Sequence, residues 1–298
     1  MTAGSAGEPT GLEEFSTHRP LLFSIAYEIL GSVADAEDVL SESWLRWQEH
    51  DRRDVENPRA YLARIVTRQA LNAARTASRR RESYVGPWLP EPLEQAGADS
   101  GLDHVLTGEA VTTAMLLVLE TLTPDERAVF VLREVFDFGY PEIAAAVDKT
   151  EPAVRQIAHR ARHHVRARRT TAVAEPSEAQ AVVERFLLAA ATGEVQLLMD
   201  LLAPGVVYLG DGGGVVAAAR RPVEGPDHVA RMLVGLLARA TTMGEVDMRM
   251  TVANGMPAVA VTIDGALDTV VCVEVTDEVV TAVYAVRNPA KLSGLRMA

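Results

Sequence analysis

Residues 139–169 read GYPEIAAAVDKTEPAVRQIAHRARHHVRARR. Proline and glutamate just after the opening glycine and tyrosine favour the start of a short helix, which the apolar run up to Val147 continues. After a turn of three residues, 148–150, a second helical pattern follows, and its apolar stripe consists of Val154, Ile157, Ala158, Ala161 and Val165. Two helices joined by so tight a turn predict a helix-turn-helix.

The face opposite this stripe carries residue types that read base edges in the major groove of DNA. A threonine just before the second helix can cap it and leave helix N–H groups free for a phosphate. The candidate DNA contacts are Thr150, Arg155, Gln156, His159 and Arg160. A solvated basic face on a bundle helix is the alternative, and the lack of any carboxylate from 152 to 169 argues against it.

A second basic helix is predicted at 59–81, RAYLARIVTRQALNAARTASRRR, in a chain with 41 acidic and 29 basic side chains. Arginines at 64, 68, 75 and 79 form a cationic ridge that suits a phosphate backbone. The candidates on this helix are Arg59, Arg64, Arg68, Arg75, Arg79, Arg80 and Arg81. Arg52 and Arg53, in the preceding loop, could cradle an unstacked base. A solvated face remains an equal alternative on charge alone.

The chain divides into segments of different character. We expect a disordered tail at 1–11, helices at 12–82, a linker at 83–104, helices at 105–170, a second linker at 171–178, and an α+β domain at 179–298. In the last segment, helices are predicted at about 179–191, 195–203 and 226–240, with strands at 206–209, 258–263, 269–275 and 279–286. The predicted fold is therefore multidomain, with two all-α domains before a largely antiparallel sheet.

Several classes of protein are disfavoured by the composition. A single cysteine, Cys272, rules out an intramolecular disulfide and favours a reducing compartment. No apolar run is long enough to span a bilayer, and no secretion leader is visible, so we expect a cytoplasmic protein with no membrane partner. No metal site and no cofactor are predicted.

Four stretches resemble bacterial RNA polymerase sigma factors of the extracytoplasmic-function (ECF) class. They are VADAEDVLSESWLRW (33–47), NPRAYLARIVTRQALN (57–72), LTPDERAVFVLREVF (122–136) and YPEIAAAVDKTEPAVRQIAHRAR (140–162). The resemblance implies that 12–82 is sigma region 2, which binds the β and β′ subunits of core RNA polymerase and opens the promoter −10 element. It implies that 105–170 is sigma region 4, which reads the −35 element.

The same resemblance assigns roles to the charged residues. The polymerase-binding surface would consist of Asp35, Glu37, Asp38, Glu42, Trp44 and Trp47. The 50–58 loop and the first basic helix would handle the non-template strand at the −10 element, and the helix-turn-helix would contact the −35 duplex. Two modest contacts on one tether give avidity, so an acidic free chain should bind promoter DNA poorly until polymerase aligns them.

The C-terminal segment resembles the SnoaL-like branch of the NTF2-like cone fold, as found in one subgroup of these sigma factors. The motifs that carry the resemblance are WLPEP (88–92), DGGG (211–214) and NPAKL (288–292). Val215 and Ala290 depart from the usual lysine and aspartate of the subgroup. The cone has a pocket, and relatives are cyclases and isomerases. The candidate acid–base residues Asp211, His228, Asp264 and Asp268 have no spacing that brings them together, so we expect no enzyme activity.

We expect the C-terminal α+β domain to dock on the first linker and regulate the sigma domains in cis. The reason is that a tryptophan between prolines should hold an extended conformation and pack against another part of the protein. The regulatory candidates are Trp88, Leu89, Pro90, Glu91, Pro92, Asp211, Gly212, Gly213, Gly214, Asn288, Pro289, Lys291 and Leu292. Two alternatives stay open: a SnoaL-type enzyme or ligand sensor fused to a DNA-binding module, and an ordinary helix-turn-helix repressor. A small ligand in the pocket is a further candidate partner.

Overall fold

The computed structural model describes residues 11–50, 55–93, 112–168 and 176–295. The chain forms two compact units. The first comprises residues 1–78, 99–109 and 122–165, and the second comprises 79–98, 110–121 and 166–298. Each unit is therefore assembled from segments that are distant in sequence.

The described helices are numbered in chain order. They are α1 (Gly11–Leu30), α2 (Val33–Glu49), α3 (Pro58–Glu82), α4 (Thr113–Glu120), α5 (Pro124–Phe130), α6 (Tyr140–Val147), α7 (Glu151–Arg168), α8 (Pro176–Thr192), α9 (Val195–Leu201), α10 (Pro226–Thr241) and α11 (Pro289–Leu292). A π-helical turn, Val131–Val135, follows α5. The strands are β1 (Leu202–Asp211), β2 (Val223–Glu224), β3 (Val246–Ala253), β4 (Met256–Ile263), β5 (Ala266–Thr276) and β6 (Val279–Val286).

The helix boundaries of the first unit follow from short polar signals in the sequence. The Ser32 hydroxyl accepts the Asp35 N–H and caps α2. Thr123 and Glu126 form a reciprocal capping box at α5, with Pro124 at the first helical position. Asp148 ends α6 in the left-handed conformation, with φ of 56°.

The helix-turn-helix is formed by α6 and α7, and the helix and turn positions agree with the prediction. Only residues 148–150 separate the two helices. The predicted stripe on α7 is buried: Val154, Ile157, Ala158, Ala161 and Val165 are at most 7% exposed. The opposite face of α7 is consequently left for solvent or a partner.

The second unit contains a six-stranded sheet in the order β2-β1-β6-β5-β4-β3. The β1–β6 pair is parallel, and the other pairs are antiparallel. One sheet face packs with residues of α8, α9 and α10 around a large apolar cluster. The other face packs a second cluster that includes Leu89 and, at its edge, Ala114 and Leu117 from α4.

The fold class predicted from the sequence is confirmed: all-α regions precede an α+β region with a mainly antiparallel sheet. Two strands were not predicted. β2 has only two residues, and β3 alternates half-buried with exposed positions such as Asp247 and Arg249. An edge strand of this kind lacks the apolar run by which the other strands are recognised.

Candidate functional site

The outer face of α7 presents the predicted −35 residues together. Arg155, Gln156, His159 and Arg160 are exposed and line one shallow depression. Thr150 is also exposed, and its carbonyl accepts the Val154 N–H in the first turn. Four of the five predicted side chains thus share one solvent-facing surface, and Thr150 is exposed just before the helix.

Two of these arginines have partners on the same unit. The Arg155 guanidinium lies 4.2 Å from the centre of the Tyr140 ring and pairs with Glu151 one turn earlier. The Arg160 Nε lies 3.5 Å from Glu126 Oε1. Because both arginine side chains remain more than half exposed, these pairs are weak and can exchange for contacts with DNA.

The cationic ridge of α3 is covered in part by the segment 122–165. The Arg68 Nη2 donates to the Ala145 carbonyl at 2.9 Å. Arg75 lies 3.1 Å from Asp125. Arg59 reaches the Phe136 carbonyl at 3.4 Å and stacks over the Phe138 ring. These contacts occupy side chains that were predicted to bind phosphates.

Asp125 binds two cations, because Lys149 Nζ also lies 2.9 Å from its carboxylate. Partial burial raises the pKa of Asp125, but Lys149 and Arg75 outweigh it and hold that pKa below its ordinary value. The carboxylate is therefore charged at neutral pH and joins the N-terminus of α5 to both α3 and the helix-turn-helix.

The first unit also contains a buried acid–base pair. The Arg127 Nε donates to the Glu28 main-chain carbonyl at 2.7 Å, and both residues are less than 10% exposed. Burial raises the pKa of the Glu28 carboxyl to about 8, although the nearby charge of Arg127 opposes this shift. Its Oε2 has no hydrogen-bond partner within the described part of the chain.

The remaining basic candidates fall into three groups. Arg64 lies over the Tyr61 ring, 4.6 Å from its centre. Arg81 forms an ion pair with Glu120 and lies 3.7 Å from the centre of the Trp88 ring, so it is held by α4 and the linker and not presented on the ridge. Arg52 and Arg53, and the side chains of Arg79 and Arg80, lie outside the described residues.

The acidic side chains of α2 differ in exposure. Asp35 and Glu37 are half-buried, whereas Asp38 and Glu42 are exposed. Glu37 pairs with Arg19 and Glu42 pairs with Arg46. Trp44 is half-buried against the Phe15 ring.

Trp47 is not a surface residue, and this corrects the expectation for it. The side chain is fully buried, its Nε1 donates to the Gly11 carbonyl at 2.8 Å, and its ring packs against Tyr61. Trp47 lies on the buried face of α2 together with Ala36, Val39, Leu40 and Ser43, and that face is core. Sequence reasoning missed Leu45, which is 58% exposed on the same helix as the acidic residues.

In the second unit, the Asp211 carboxylate joins the linker to the C-terminal α+β domain. Asp211 is fully buried at the end of β1. It accepts the Tyr84 hydroxyl at 2.6 Å, the Leu89 N–H at 2.9 Å and the Lys291 ammonium at 2.7 Å. Its other contact is the Gly213 N–H at 3.0 Å. Residues from all three quoted motifs meet at this carboxylate. We call the group formed by Tyr84, Leu89, Asp211, Gly213 and Lys291 the Asp211 cluster.

Lys291 is the cation of the Asp211 cluster. Its ammonium also donates to the Leu89 carbonyl and lies 4.1 Å from the centre of the Trp88 ring. Burial lowers the pKa of Lys291, although Asp211 opposes the shift. Burial and the Asp211 charge raise the pKa of Tyr84, so its hydroxyl remains a donor.

The glycine turn after β1 is shaped by close neighbours. A Cβ on Gly213 would lie 2.4 Å from the Asn288 side chain, and φ at Gly213 is 64°. The Asn288 amide in turn donates to the Tyr84 hydroxyl at 2.9 Å. A Cβ on Gly212 would lie 2.4 Å from the Val216 carbonyl oxygen, and a Cβ on Gly214, where φ is 74°, would lie 3.1 Å from the Val85 side chain. The glycines therefore suit the place where the C-terminal domain meets the linker.

The other motif residues divide between core and surface. Leu89 and Leu292 are buried in one apolar cluster. Pro90 and Pro92 are buried, Trp88 and Glu91 are half-buried, and Pro289 is exposed. The two departures from the subgroup pattern, Val215 and Ala290, are exposed and lie outside the buried contacts of Asp211.

A second anchor of the linker was missed by sequence reasoning. Asn254 accepts the Leu93 N–H at 3.0 Å, returns a main-chain bond to the Leu93 carbonyl, and donates to the Thr113 hydroxyl at 3.2 Å. The Asn254-Gly255 pair predicts a hairpin turn, and it does join β3 to β4. The sequence alone offers no signal that the same side chain would also bind the linker.

The four acid–base candidates do not form one site. Asp211 is committed to the Asp211 cluster, and Asp264 accepts the Glu245 N–H in a turn. His228 is exposed at the start of α10. Asp268 alone of the four lines the internal cavity of the second unit, where it pairs with Arg287. Within the described residues, no group of His, Cys, Asp and Glu could hold a metal ion.

No described helix combines the length and apolarity needed to cross a bilayer.

Two protein families match the two basic helical regions of the chain. Residues 15–80 match the Sigma-70 region 2 family, and residues 112–165 match Sigma-70, region 4. These families define the class of the protein as a transcription initiation factor that works with RNA polymerase.

Whole-chain relatives are more specific. The chain is 36% identical over 299 residues to the ECF RNA polymerase sigma factor SigJ of Mycobacterium tuberculosis, covering 95% of this chain and 93% of that protein. It is 29% identical over 281 residues to the probable sigma factor SigI of the same species, covering 94% and 93%. The crystal structure of SigJ matches with a TM-score of 0.77 at 33% identity, covering 96% of this chain and all of that one. The chain belongs to the ECF family of RNA polymerase sigma factors, and it directs promoter-specific transcription initiation.

Proposed function

We propose that this sigma factor binds the β and β′ subunits of core polymerase through the outer face of α2. The face carries Asp38 and Glu42, which are exposed, beside half-buried Asp35, Glu37 and Trp44. The exposed Leu45 adds an apolar contact that a partner would desolvate. Trp47 supports this surface from the core and does not touch the partner.

The outer face of α7 reads the −35 element. The observation that carries this assignment is the joint exposure of Arg155, Gln156, His159 and Arg160 over a buried apolar stripe. Arginine and glutamine at the start of an outward helix are suited to base edges in the major groove. Thr150 lies where a helix N-terminus would meet a phosphate.

The ridge of α3 grips DNA at the −10 element after release from the segment 122–165. Arg59, Arg68 and Arg75 are committed to partners within the first unit. A phosphate backbone offers Arg59 and Arg68 a charged acceptor in place of a neutral main-chain carbonyl, and it offers Arg75 an alternative to the Asp125 carboxylate. We infer that core polymerase draws this unit open and makes the ridge available. Arg52, Arg53, Arg64, Arg79 and Arg80 belong to the same proposed surface, while Arg81 acts through the linker.

The C-terminal unit regulates initiation in cis by holding the linker through the Asp211 cluster. Tyr84 and Leu89 of the linker donate to the buried Asp211 carboxylate. Lys291, which lies 80 residues after Asp211 in the chain, donates to the same carboxylate. A linker fixed in this way limits how the sigma regions on either side of it can be spaced. We propose no catalytic activity for this unit. We also propose that the domains span residues 12–82, 105–170 and 179–298.

In vitro transcription tests the proposal. The full chain is combined with core polymerase on a pool of random promoters, and start sites are sequenced with and without the chain. We expect new initiation sites that share two elements. A chain that does not associate with core, or that leaves start sites unchanged, contradicts the assignment of the DNA and polymerase surfaces.

The regulatory part has its own test. Lys291→Met and Asp211→Asn are compared with Asp227→Asn, which removes a carboxylate of the same unit from an exposed pair with Arg231. We expect the first two variants to change transcript yield and the third to match the parent chain. Equal yields from all four chains would refute regulation through the Asp211 cluster. A gel shift with and without core separates a sigma factor from a repressor, which would bind duplex alone.

A further inference from the structure

The Arg155 guanidinium on α7 is held by two contacts of different kinds. Its Nε donates to the Glu151 carboxylate at 3.1 Å, one turn earlier in the same helix. Its Cζ lies over the Tyr140 ring, 4.2 Å from the ring centre, and Tyr140 is the first residue of α6. The first contact uses the N–H donors in the plane of the guanidinium, whereas the second uses the attraction between the cation and the face of the ring.

The two contacts respond differently to DNA. A guanine edge in the major groove offers two acceptors to an arginine, so it competes with Glu151 for the same N–H donors. It does not compete with a ring that lies against the guanidinium. The side chains of Arg155 and Glu151 are 58% and 39% exposed, so their ion pair is weak. Arg155 can therefore exchange Glu151 for a base and remain over Tyr140.

The Tyr140 ring is itself fixed by its neighbours. Arg162 Nη2 donates to the Tyr140 hydroxyl at 3.0 Å, and Arg162 Nε is held by Glu134 Oε1 at 2.8 Å. The Arg133 guanidinium also lies over the ring, 5.2 Å from the ring centre. Because Tyr140 is half-buried and is contacted at both its hydroxyl and its ring, it gives Arg155 a defined support.

Such a support matters because the arginine side chain is long. An exposed arginine loses rotamer freedom when it binds, and this loss opposes binding. A contact that restricts the side chain beforehand reduces the loss. The support is given to Arg155, whereas Arg160, further along α7, lies near Glu126 of α5.

We propose that Tyr140 is a positioning residue for −35 recognition, which holds the guanidinium of Arg155 in the orientation that reads one base pair. The helix before the turn thus contributes to sequence selection without touching a base. This inference rests on the proposed role of Arg155 as a base-reading residue. It adds that one position of the −35 element depends on Tyr140 and that the other positions do not.

The competing explanation is that Tyr140 only stabilises the helix-turn-helix. Loss of a packing residue lowers the folded fraction and reduces transcription from every promoter alike. Loss of a positioning residue changes base preference at one position. The two explanations therefore differ in which positions of the −35 element change, and not only in total yield.

Transcription by core polymerase with the full chain, on a library randomised across the −35 element, measures base preference at each position. Tyr140→Leu should reduce selection about two- to fivefold at the position that Arg155→Ala affects, which is the range for one exposed contact between a cation and an aromatic ring. The other positions should keep their preference. Tyr140→Phe keeps the ring beneath the guanidinium, so it should retain most of the selection and serves as the conservative rescue.

A double-mutant cycle shows whether Tyr140 acts through Arg155. In the Arg155→Ala background, Tyr140→Leu should cause no further change in base preference, because the group that it orients is gone. In the Arg160→Ala background, Tyr140→Leu should have its full effect. The same change in both backgrounds overturns the proposal, and so does a loss spread evenly over all positions.

NMR of the free full chain provides a measurement that does not depend on transcription. The Nε–Hε resonance of Arg155, identified by its absence in Arg155→Ala, is displaced by the ring current of Tyr140. Tyr140→Leu should shift this resonance and Tyr140→Phe should leave it near its parent position, with a thermal melt of each variant to show that it is folded. An Arg155 resonance that does not respond to Tyr140→Leu overturns the contact on which the proposal depends.

The inference and the proposed function fail in different ways. If Arg155→Ala changes no position of the −35 element, Arg155 is not a base-reading residue, and the proposed function of α7 fails together with the inference. If Arg155→Ala changes one position and the folded Tyr140→Leu variant leaves that position unchanged, the proposed function stands and the inference alone is overturned.

Discussion

The ammonium of Lys291 lies 2.7 Å from the carboxylate of Asp211, and the two side chains are 7% and 0% exposed. Burial of two charges is tolerated only when each is paired and further hydrogen-bonded. Asp211 meets this condition with donors from Tyr84 and Leu89. The linker is thus part of what makes the buried pair acceptable, and loss of either charge should loosen the linker.

Lys291→Met should destabilise the second unit by about 3–5 kcal/mol, because it leaves the Asp211 carboxylate buried without its cation. The Leu89 N–H should then exchange faster. Hydrogen–deuterium exchange of a peptide that spans 84–93 measures this directly. Arg231→Met, which breaks an exposed pair in the same unit, should leave that peptide unchanged.

A combined Asp211→Asn and Lys291→Met variant is the stricter test. Because neither charge remains, it should be less destabilised than the sum of the single variants. Simple additivity would contradict a direct coupling between the two residues.

Stability of the first unit should fall as pH rises toward 8, because of Glu28. The carboxyl has a pKa of about 8 in the folded chain against 4.5 for the ordinary group. The folded state therefore holds the proton more tightly. Its contribution to stability is complete below about 4.5 and is lost as pH rises through about 8.

Urea unfolding at several pH values between about 5 and 8.5 measures this effect. This range covers most of the interval, about 4.5–8, in which the protonation of Glu28 makes stability depend on pH. Trp88→Phe is used as the background, so that fluorescence reports on Trp44 and Trp47 of the first unit. Glu28→Gln should flatten the pH dependence, while Glu56→Gln, at an exposed position, should retain it. A parent chain whose midpoint is constant over this range would show that Glu28 keeps an ordinary pKa.

The helix-turn-helix could be predicted because its signals are local. Pro141 and Glu142 start α6, residues 148–150 turn the chain, and the buried stripe of α7 repeats at helical spacing. The same local logic placed most strands of the second unit, but not β3, whose polar alternation reflects its position at the sheet edge.

The Asp211 cluster could be predicted only in outline. Resemblance identified the three motifs, but no local pattern shows that Asp211 is fully buried. No local pattern shows either that Tyr84 of the linker donates to Asp211 or that Asn254 binds the linker at Leu93. These contacts join residues more than 100 positions apart. For the same reason, Trp47 and Arg81 were placed on binding surfaces, although tertiary partners occupy both.

Asp125→Asn should strengthen the binding of DNA to the α3 ridge, because Arg75 and Lys149 lose their shared carboxylate. The gain should be small, at most about fivefold, since exposed ion pairs contribute about 0–1 kcal/mol each. Fluorescence anisotropy with a labelled duplex at several salt concentrations measures it, and a steeper salt dependence is expected from the added phosphate contacts.

The matched control is Asp137→Asn, which breaks the pair with Arg133 and leaves the α3 arginines untouched. Both variants remove one negative charge, so they share the general electrostatic effect. The same gain in both would attribute the change to net charge and not to release of Arg75.

Arg155→Ala should reduce selection at one position of the −35 element, by about 1–3 kcal/mol if the guanidinium reads a base. In the free chain this group is held by Glu151 and the Tyr140 ring, and the contact with Glu151 is weak enough to be exchanged for a base edge. Transcription by the holoenzyme from a library randomised across the −35 element measures the change position by position. His163→Ala, exposed further along α7, is the control and should leave the preferred sequence as it is. A uniform loss over all library members would place Arg155 on a phosphate and leave base recognition to Gln156, His159 and Arg160.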